Sequence, residues 1–529
     1  MRHKIKKAPS RLHADKCIQL IDSANVYDVA IKTPTTFANN LSTKLENDIF
    51  LKREDLQPIF SFKNRGAYNK ISNLTPSQKK RGVIAASAGN HAQGVANAAK
   101  RLRISCEIVM PATAPELKIK AVKKLGAKVV LYGNSFNDAL KKAKTIAISK
   151  NKEFIDAFDD PYTIAGQGTI GKEILEDKET YDAIFVPVGG GGVLAGIAAY
   201  VSAFSPTTKI YGVEVDDSAC LTEAIKFGKR VRLRQVGSFA DGVAVEQVGK
   251  NTFEIIKETV DGVITVTNDE LCAAVKDIFE DTRVISEPAG ALALAGLKQY
   301  AAKIQGKKLL AISSGANVNF ERLSYIVERS EVGENREKLL SIRIPEKPGS
   351  FKKLCSMFGK SLITEFNYRI SDANDAYVLV GIRLDSEGRF KEICSKLKEK
   401  KYKFQDLTSN KISRDHLRYM VGGRSPKADS DLAERIFRCE FPVRPEALLN
   451  FLRAFGNDWN ISLFHYRNLG SAFSNVLIGI QDQKSSKTSL DKHLKDLDYE
   501  FFEETTNPCL LYTSPSPRDL STSRMPSSA

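Results

Sequence analysis

A chain of 529 residues exceeds what one hydrophobic core supports, since single cores stop growing near about 250 to 300 residues, so two or more domains follow. With 42% hydrophobic and 27% charged residues the composition is that of an ordinary globular protein, which excludes the disordered, collagenous and coiled-coil classes. The formal charge of +16 is spread over stretches such as 118–128 and 391–403, which favours a solvated basic surface that attracts anionic metabolites over a nucleic-acid interface.

The start, Met1 to Lys7, is basic, but no apolar stretch follows, so no secretory signal is expected. The longest apolar runs, 195–204 and 289–297, fall short of the roughly 18 residues that span a bilayer, so no transmembrane helix is expected and the cytoplasm is the default compartment. Eight cysteines stand singly, with no CxxC pair and no histidine at zinc-ligand spacing, and read as reduced structural thiols rather than a metal site.

From about Ile49 to Val327 short β-branched runs alternate with longer 3.6-period segments, the pattern of a parallel sheet covered by helices. Ile49 to Arg53 is strand-like, and further strands are predicted at 83–87, 105–110, 128–132, 183–188, 210–215 and 308–312. Several end in a glycine-bearing loop that opens a helix. Ligands in open α/β sheets bind at the carboxyl ends of strands, so these loops are where chemistry is to be sought.

The first is Ser61-Phe62-Lys63-Asn64-Arg65-Gly66-Ala67. A lysine beside an aromatic and small residues can occupy a shielded site where its pKa falls, as a Schiff-base lysine requires, although a lone lysine among 79 basic residues is ordinarily a surface charge. Next, Ser87-Ala88-Gly89-Asn90-His91 joins a strand to a helix; its amides form either an anion site or a simple cap and turn. The run Pro187-Val188-Gly189-Gly190-Gly191-Gly192-Val193 brings backbone amides and a helix dipole to a phosphate. Gly190, Gly192 and Ala195 also satisfy the dinucleotide fingerprint, with Glu214 about 20 residues on, so a nicotinamide-dependent oxidoreductase stays open. Ser313-Ser314-Gly315-Ala316-Asn317 either binds a heteroaromatic nitrogen or caps a helix.

Beyond a polar boundary near 328–337 the pattern changes. Residues 348–369 and 445–467 align with one inserted residue, and each is followed by a matching strand, VLVGI at 378–382 and VLIGI at 476–480. A period of about 97 residues and a strand, helix, strand, strand order predict two duplicated α+β modules of ferredoxin-like type. The end, 510–529, holds six Ser, three Pro and two Thr without periodicity and is expected to be a disordered or artefactual tail.

Taken in order, the four loop motifs resemble the pyridoxal-phosphate enzymes of the tryptophan synthase β-subunit fold type (fold type II), a parallel-sheet sandwich in two subdomains. Among these they resemble the long-form biosynthetic threonine deaminases (threonine ammonia-lyases), whose catalytic domain is followed by two ACT-like modules. The resemblance implies a catalytic domain over 1–330, modules over 331–425 and 426–508, and a tail over 509–529. It implies that Lys63 forms the covalent link to pyridoxal 5'-phosphate and then removes the substrate α-proton, that Asn90 contacts the pyridine 3-oxygen, and that Gly189, Gly190, Gly191, Gly192 and Val193 hold the phosphate. Ser314 would bond the pyridine nitrogen, and Ser87, Ala88, Gly89 and His91 would receive the substrate carboxylate. Ala88 lacks the hydroxyl that a racemase would need. The implied reaction takes L-threonine, or L-serine as a second substrate, with 2-oxobutanoate and ammonia formed from threonine as the first committed step to isoleucine. A homotetramer is expected, inhibited by isoleucine with valine opposing. Phe351, Phe366 and Tyr368 in the first module and Phe464 and Tyr466 in the second are the candidate effector contacts, against a reading as module core. A catalytically inactive amino-acid sensor is the remaining alternative, and an intact Lys63 speaks against it.

Overall fold

The computed structural model describes residues 3–4, 12–177, 179–333, 337–345, 353–354, 357–358, 361–370, 375–384, 387–410, 412–413, 432–442, 460–466, 473–483, 487–496 and 499–508. The chain divides into two compact units, Met1–Gly333 and Glu334–Ala529.

In the first unit the strands are His3–Lys4 (β1), Thr35–Phe37 (β2), Asp48–Arg53 (β3), Val83–Ala86 (β4), Cys106–Met110 (β5), Lys128–Leu131 (β6), Glu153–Phe154 (β7), Ala183–Pro187 (β8), Lys209–Val215 (β9), Gly262–Val266 (β10) and Lys308–Ser313 (β11). All seven predicted strands are present, each within one residue of its expected bounds. They form two sheets rather than one. The larger has the order β1-β10-β9-β8-β11-β3-β2, parallel from β10 to β3 with an antiparallel strand at each edge. The smaller, β6-β5-β4-β7, is parallel throughout.

Burial on both faces explains the near-continuous apolar runs. In the large sheet Ile184, Val186, Ile210, Leu310 and Ile312 enter one core cluster, while their neighbours Ala183, Phe185, Val213, Leu309 and Ala311 enter another. Helices cover each side because only a right-handed crossover returns the chain to a parallel neighbour. Among the described residues no helix is long and apolar enough to cross a membrane.

The second unit holds two four-stranded antiparallel sheets. Glu337–Pro345 (β12), Leu362–Ile370 (β13), Asp375–Arg383 (β14) and Lys403–Asp406 (β15) lie in the order β13-β14-β12-β15. Leu432–Pro442 (β16), Asn460–Tyr466 (β17), Phe473–Gln483 (β18) and Phe501–Glu503 (β19) repeat it as β17-β18-β16-β19. That is the strand order of a ferredoxin-like βαββαβ unit, with the described helices 387–399 and 487–496 before the last strands. The duplication extends to register: Phe366 opposes Val380 and Tyr368 opposes Val378, as Phe464 opposes Ile478 and Tyr466 opposes Val476. A bulge recurs at the same place, between Ile363 and Glu365 and between Ile461 and Leu463. A shared cluster of Leu339, Leu407, Ile412, Ile436 and Leu477 joins the two modules.

Candidate active site

The loops that carry the motifs leave the carboxyl ends of four strands. The tetraglycine loop and the Ser314 loop follow β8 and β11, which are neighbours in the large sheet. The Ser87–Asn90 turn and the Asp156–Asp160 loop follow β4 and β7, which are neighbours in the small one. The Lys63 segment links the two sides: Ser61 bridges Gly315, and the Phe62 N–H reaches the Ser314 carbonyl at 3.4 Å.

Lys63 is the first residue of the helix Lys63–Ser72. Its Nζ donates to the Ala157 carbonyl at 3.2 Å and lies 5.2 Å from the centre of the Phe62 ring. Burial lowers the amine to about 8, with Asp156 and Glu287 pulling it back up. The helix Asn90–Leu102 presses directly on this segment, since a Cβ at Gly94 would be 2.8 Å from the Lys63 carbonyl oxygen. Two residues on, Arg65 anchors the helix in a buried ion network. It reaches Glu54 at 2.7 Å and Glu173 at 2.6 Å, and Glu173 also meets Lys52 at 2.9 Å, all four with no exposed side-chain surface.

In the tetraglycine loop, the Gly190 carbonyl is held from behind by the Gly249 N–H at 3.1 Å and the Thr252 hydroxyl at 2.7 Å. The helix Gly192–Phe204 starts here, and its first-turn amides lack intrahelical acceptors, as helix starts do. A cradle of this kind fits a phosphate: free amides, a helix dipole and no side chain in the way. The glycines also serve packing. A Cβ at Gly190 would overlap the Phe158 ring, and Gly191 has φ +90°, where an L side chain is strained. Phe158 is set there by Asp156, whose Oδ1 accepts the Phe158 and Asp159 N–H groups at 2.9 and 2.8 Å.

Around Ser87–His91, the Ser87 hydroxyl accepts the Gly89 N–H at 3.1 Å, while Ala88 and Gly89 are partly exposed. The His91 ring is turned inward instead. Its Nε2 meets the Ile155 carbonyl at 3.0 Å, and burial, reinforced by the nearby Lys63 charge, depresses it to about 4. His91 can therefore offer an anion only its backbone N–H. The Asn90 Nδ2 donates to Glu287 at 2.5 Å, and its Oδ1 accepts from Asn317 at 2.7 Å. Ser314 donates to the Ala289 carbonyl at 3.2 Å, so its single O–H must leave that acceptor to serve a ring nitrogen. The adjacent Ser313 hydroxyl is buried with no partner. A cavity of about 370 Å³ opens beside these residues, lined among others by Phe60, Gln93, Leu117, Lys118, Val284 and Asn317.

Sequence reasoning missed Glu287, Phe158 and Asp156. Glu287 is a buried carboxyl raised to about 7 by desolvation and then by Asp241, with Lys118, Asn90 and Arg322 opposing. Nothing in a lone Ser-Glu-Pro sequence announces this. The dinucleotide reading of Glu214 is corrected. Its carboxylate is buried and accepts the N–H groups of Leu221 and Thr222, both at 2.8 Å, and the Thr222 hydroxyl at 2.7 Å. It caps the helix Cys220–Phe227 and, with no exposed surface, is closed to a ribose. Of the effector candidates, Phe351 lies outside the described residues, as do the residues that follow Pro445 up to 459 and the tail 509–529. Phe366 and Phe464 oppose Val380 and Ile478, both buried in their module cores.

Comparison with known proteins accords with this geometry. The family described as pyridoxal-phosphate dependent enzyme matches residues 26–315, and the C-terminal regulatory domain of threonine dehydratase matches 328–417 and again 428–512. The chain is 49% identical over 497 residues to a biosynthetic L-threonine dehydratase of Burkholderia multivorans, covering 93% of this chain and 97% of that one. It is 46% identical over 495 residues to the Escherichia coli biosynthetic L-threonine dehydratase, covering 92% and 95%. Among solved structures, the processed form of threonine deaminase isoform 2 from Solanum lycopersicum superposes with a TM-score of 0.61 at 44% identity, covering 62% of this chain and 97% of that one. With these matches covering most of its length, the chain belongs to the pyridoxal-phosphate dependent enzymes and carries the regulatory domain of threonine dehydratases.

Proposed function

We propose that this chain is a threonine ammonia-lyase, converting L-threonine into 2-oxobutanoate and ammonia, with its C-terminal modules as the receptors for amino-acid effectors. The observation that carries the reading is Lys63 Nζ, buried against the Ala157 carbonyl at 3.2 Å and lowered to about 8, in a segment tied to the Ser314 loop through Phe62; Ala157 is next in the chain to Phe158, whose ring packs on Gly190. Pyridoxal phosphate, when bound, supplies the electron sink for the developing negative charge at the substrate α-carbon.

The protein supplies position and proton transfer. A lowered pKa keeps more of the Lys63 amine neutral near pH 7, the form that forms a covalent link and accepts the α-proton at Nζ. Amides at the start of the helix Gly192–Phe204 would hold the cofactor phosphate, and those from Ala88 to His91 would receive the substrate carboxylate. Asn90 would donate to the cofactor ring oxygen. Ser314 would serve the ring nitrogen as a neutral donor, which would favour elimination of the β-hydroxyl. L-threonine is the substrate, with L-serine a further candidate.

For the modules, our reading takes isoleucine as inhibitor, valine as its opponent and a homotetramer as the assembly; the match of 328–417 and 428–512 to the regulatory domain of threonine dehydratase supports an effector-binding role. Steady-state assays on the full chain and on a truncation after Ser330 test this part. Isoleucine is expected to inhibit the full chain and to leave the truncated one untouched; equal inhibition of both, or of neither, contradicts it. The Solanum lycopersicum structure, which matches only 62% of this chain, supports independent folding of the catalytic unit.

A further inference from the structure

Asn90 is held at both ends of its amide, and the polarity of the contacts can be traced from one fixed acceptor. The Ile59 carbonyl can only accept, and Asn317 Nδ2 reaches it at 2.8 Å. The same Nδ2 reaches Asn90 Oδ1 at 2.7 Å, so both Asn317 amide hydrogens are used. The Asn90 oxygen is thereby fixed as an acceptor facing Asn317. Its nitrogen must then face the other way, where Glu287 Oε1 takes one hydrogen at 2.5 Å. One hydrogen on Asn90 Nδ2 remains.

We infer that Ile59, Asn317, Asn90 and Glu287 form a relay of fixed polarity, in which Asn317 and Glu287 are positioning residues that present Asn90 as an N–H donor to the cofactor oxygen. The relay joins the subdomains, because Asn90 opens a helix of the small-sheet side whereas Asn317 and Glu287 flank β11 on the large-sheet side. An unanchored amide rotates to offer either end; this one cannot without breaking two bonds. The backbone supports Glu287 as well, since its N–H donates to the Gly315 carbonyl at 3.2 Å. The charged groups around Glu287 are Asp241 on one side and Lys118, Arg322 and Lys63 on the others.

This inference rests on the reading of Asn90 as a cofactor contact, and the test separates the two. Pyridoxal phosphate is titrated into the full-length apoprotein of wild type, Asn90→Ala, Asn317→Asp, Glu287→Leu and Glu287→Gln, following affinity and the visible band of the bound cofactor as a function of pH. Asn90→Ala is expected to shift the band and weaken binding roughly ten- to hundredfold, the worth of one hydrogen bond to a charged partner. Asn317→Asp, which sets an acceptor against Asn90 Oδ1, and Glu287→Leu, which removes the acceptor, are expected to reproduce that shift. Glu287→Gln keeps a carbonyl for Asn90 Nδ2 and is expected to stay near wild type. A merely structural role would not separate Gln from Leu by the cofactor band. Should Asn317→Asp not fold, Asn317→Ala removes the donor without adding charge. Wild-type bands in Asn317→Asp and Glu287→Leu beside a shifted Asn90→Ala overturn the relay alone. An unshifted Asn90→Ala removes the contact itself and the relay with it.

Discussion

Charge is used differently in the two units of this chain. In Met1–Gly333, Lys52, Arg65, Glu54 and Glu173 are taken fully inside and pair with one another, and Arg65 belongs to the helix whose first residue is Lys63. In the second unit, Arg435 pairs with Asp491 and Glu503, which keep 47% and 43% of their side-chain surface exposed, while the module cores are built from Leu340, Ile342, Val380 and their counterparts. A lysine proposed to do chemistry, as Lys63 is here, has to be fixed to within about half an ångström, and buried, directional ion pairs do this where apolar packing alone leaves latitude. The modules need a register, which periodic apolar strands provide.

The contrast can be broken by mutation. Arg65→Leu leaves buried Glu54 with only the neutral donors Thr33 and Gln57, and Glu173 with Lys52 and Tyr27, and is expected to cost about 3 to 5 kcal/mol in denaturant unfolding of the apoprotein. A loss below about 1 kcal/mol would mean the network is not what anchors the helix.

His91 sharpens the same point through pH. Its folded-state value of about 4 lies below its ordinary 6.5, so the folded state binds fewer protons in that window. The contribution is therefore complete above about pH 6.5 and is lost as pH falls toward 4, on the order of 3 kcal/mol in all. Glu287, raised from 4.5 to about 7, works against this slope because its burial favours the protonated folded state. The quantity to measure is accordingly the stability of wild type minus that of His91→Gln at several pH values. It should rise between about pH 4 and 6.5, and a flat difference would place the imidazole in solvent.

Gly191→Val adds a side chain at φ +90° and within 2.9 Å of Ile256, and is expected to cost about 1 to 3 kcal/mol along with weaker cofactor retention in equilibrium dialysis. Retention equal to wild type would show that the loop does not carry the phosphate. At the small end, Arg435→Leu should cost module stability about 1 to 2 kcal/mol, less than Arg65→Leu costs, since Arg435 is itself buried but its partners Asp491 and Glu503 are half exposed and screened.

The same contrast explains what could be read in the sequence. Strands β4, β5, β8, β9 and β11 are legible because burial on both faces leaves short apolar runs, β6 because Val129 and Val130 mark it although it lies at a sheet edge, and the modules because Phe-x-Tyr and VLxGI recur at matching register. Strand Gly262–Val266 carries the same signal and was overlooked, whereas Glu153–Phe154 is too short to leave one. The loops that hold Lys63, Asn90, Gly190 and Ser314 were legible as motifs, since each joins a strand end to a helix start. Their supports were not. Arg65 and Lys52 look like surface cations in a chain with 79 of them, and Glu287, Asn317 and Phe158 acquire meaning only from partners 197, 227 and about 30 residues away. His91 stands where the motif puts it, at the start of a helix, but its ring turns to the Ile155 carbonyl and leaves only its backbone N–H for an anion.

The most direct test of the account is Lys63→Ala in the full-length chain, assayed for 2-oxobutanoate from L-threonine together with the visible absorbance of bound cofactor and the circular dichroism of the fold. The account predicts an intact fold, no product and no visible band of the lysine-linked cofactor. Turnover by the variant at a rate near wild type would contradict it.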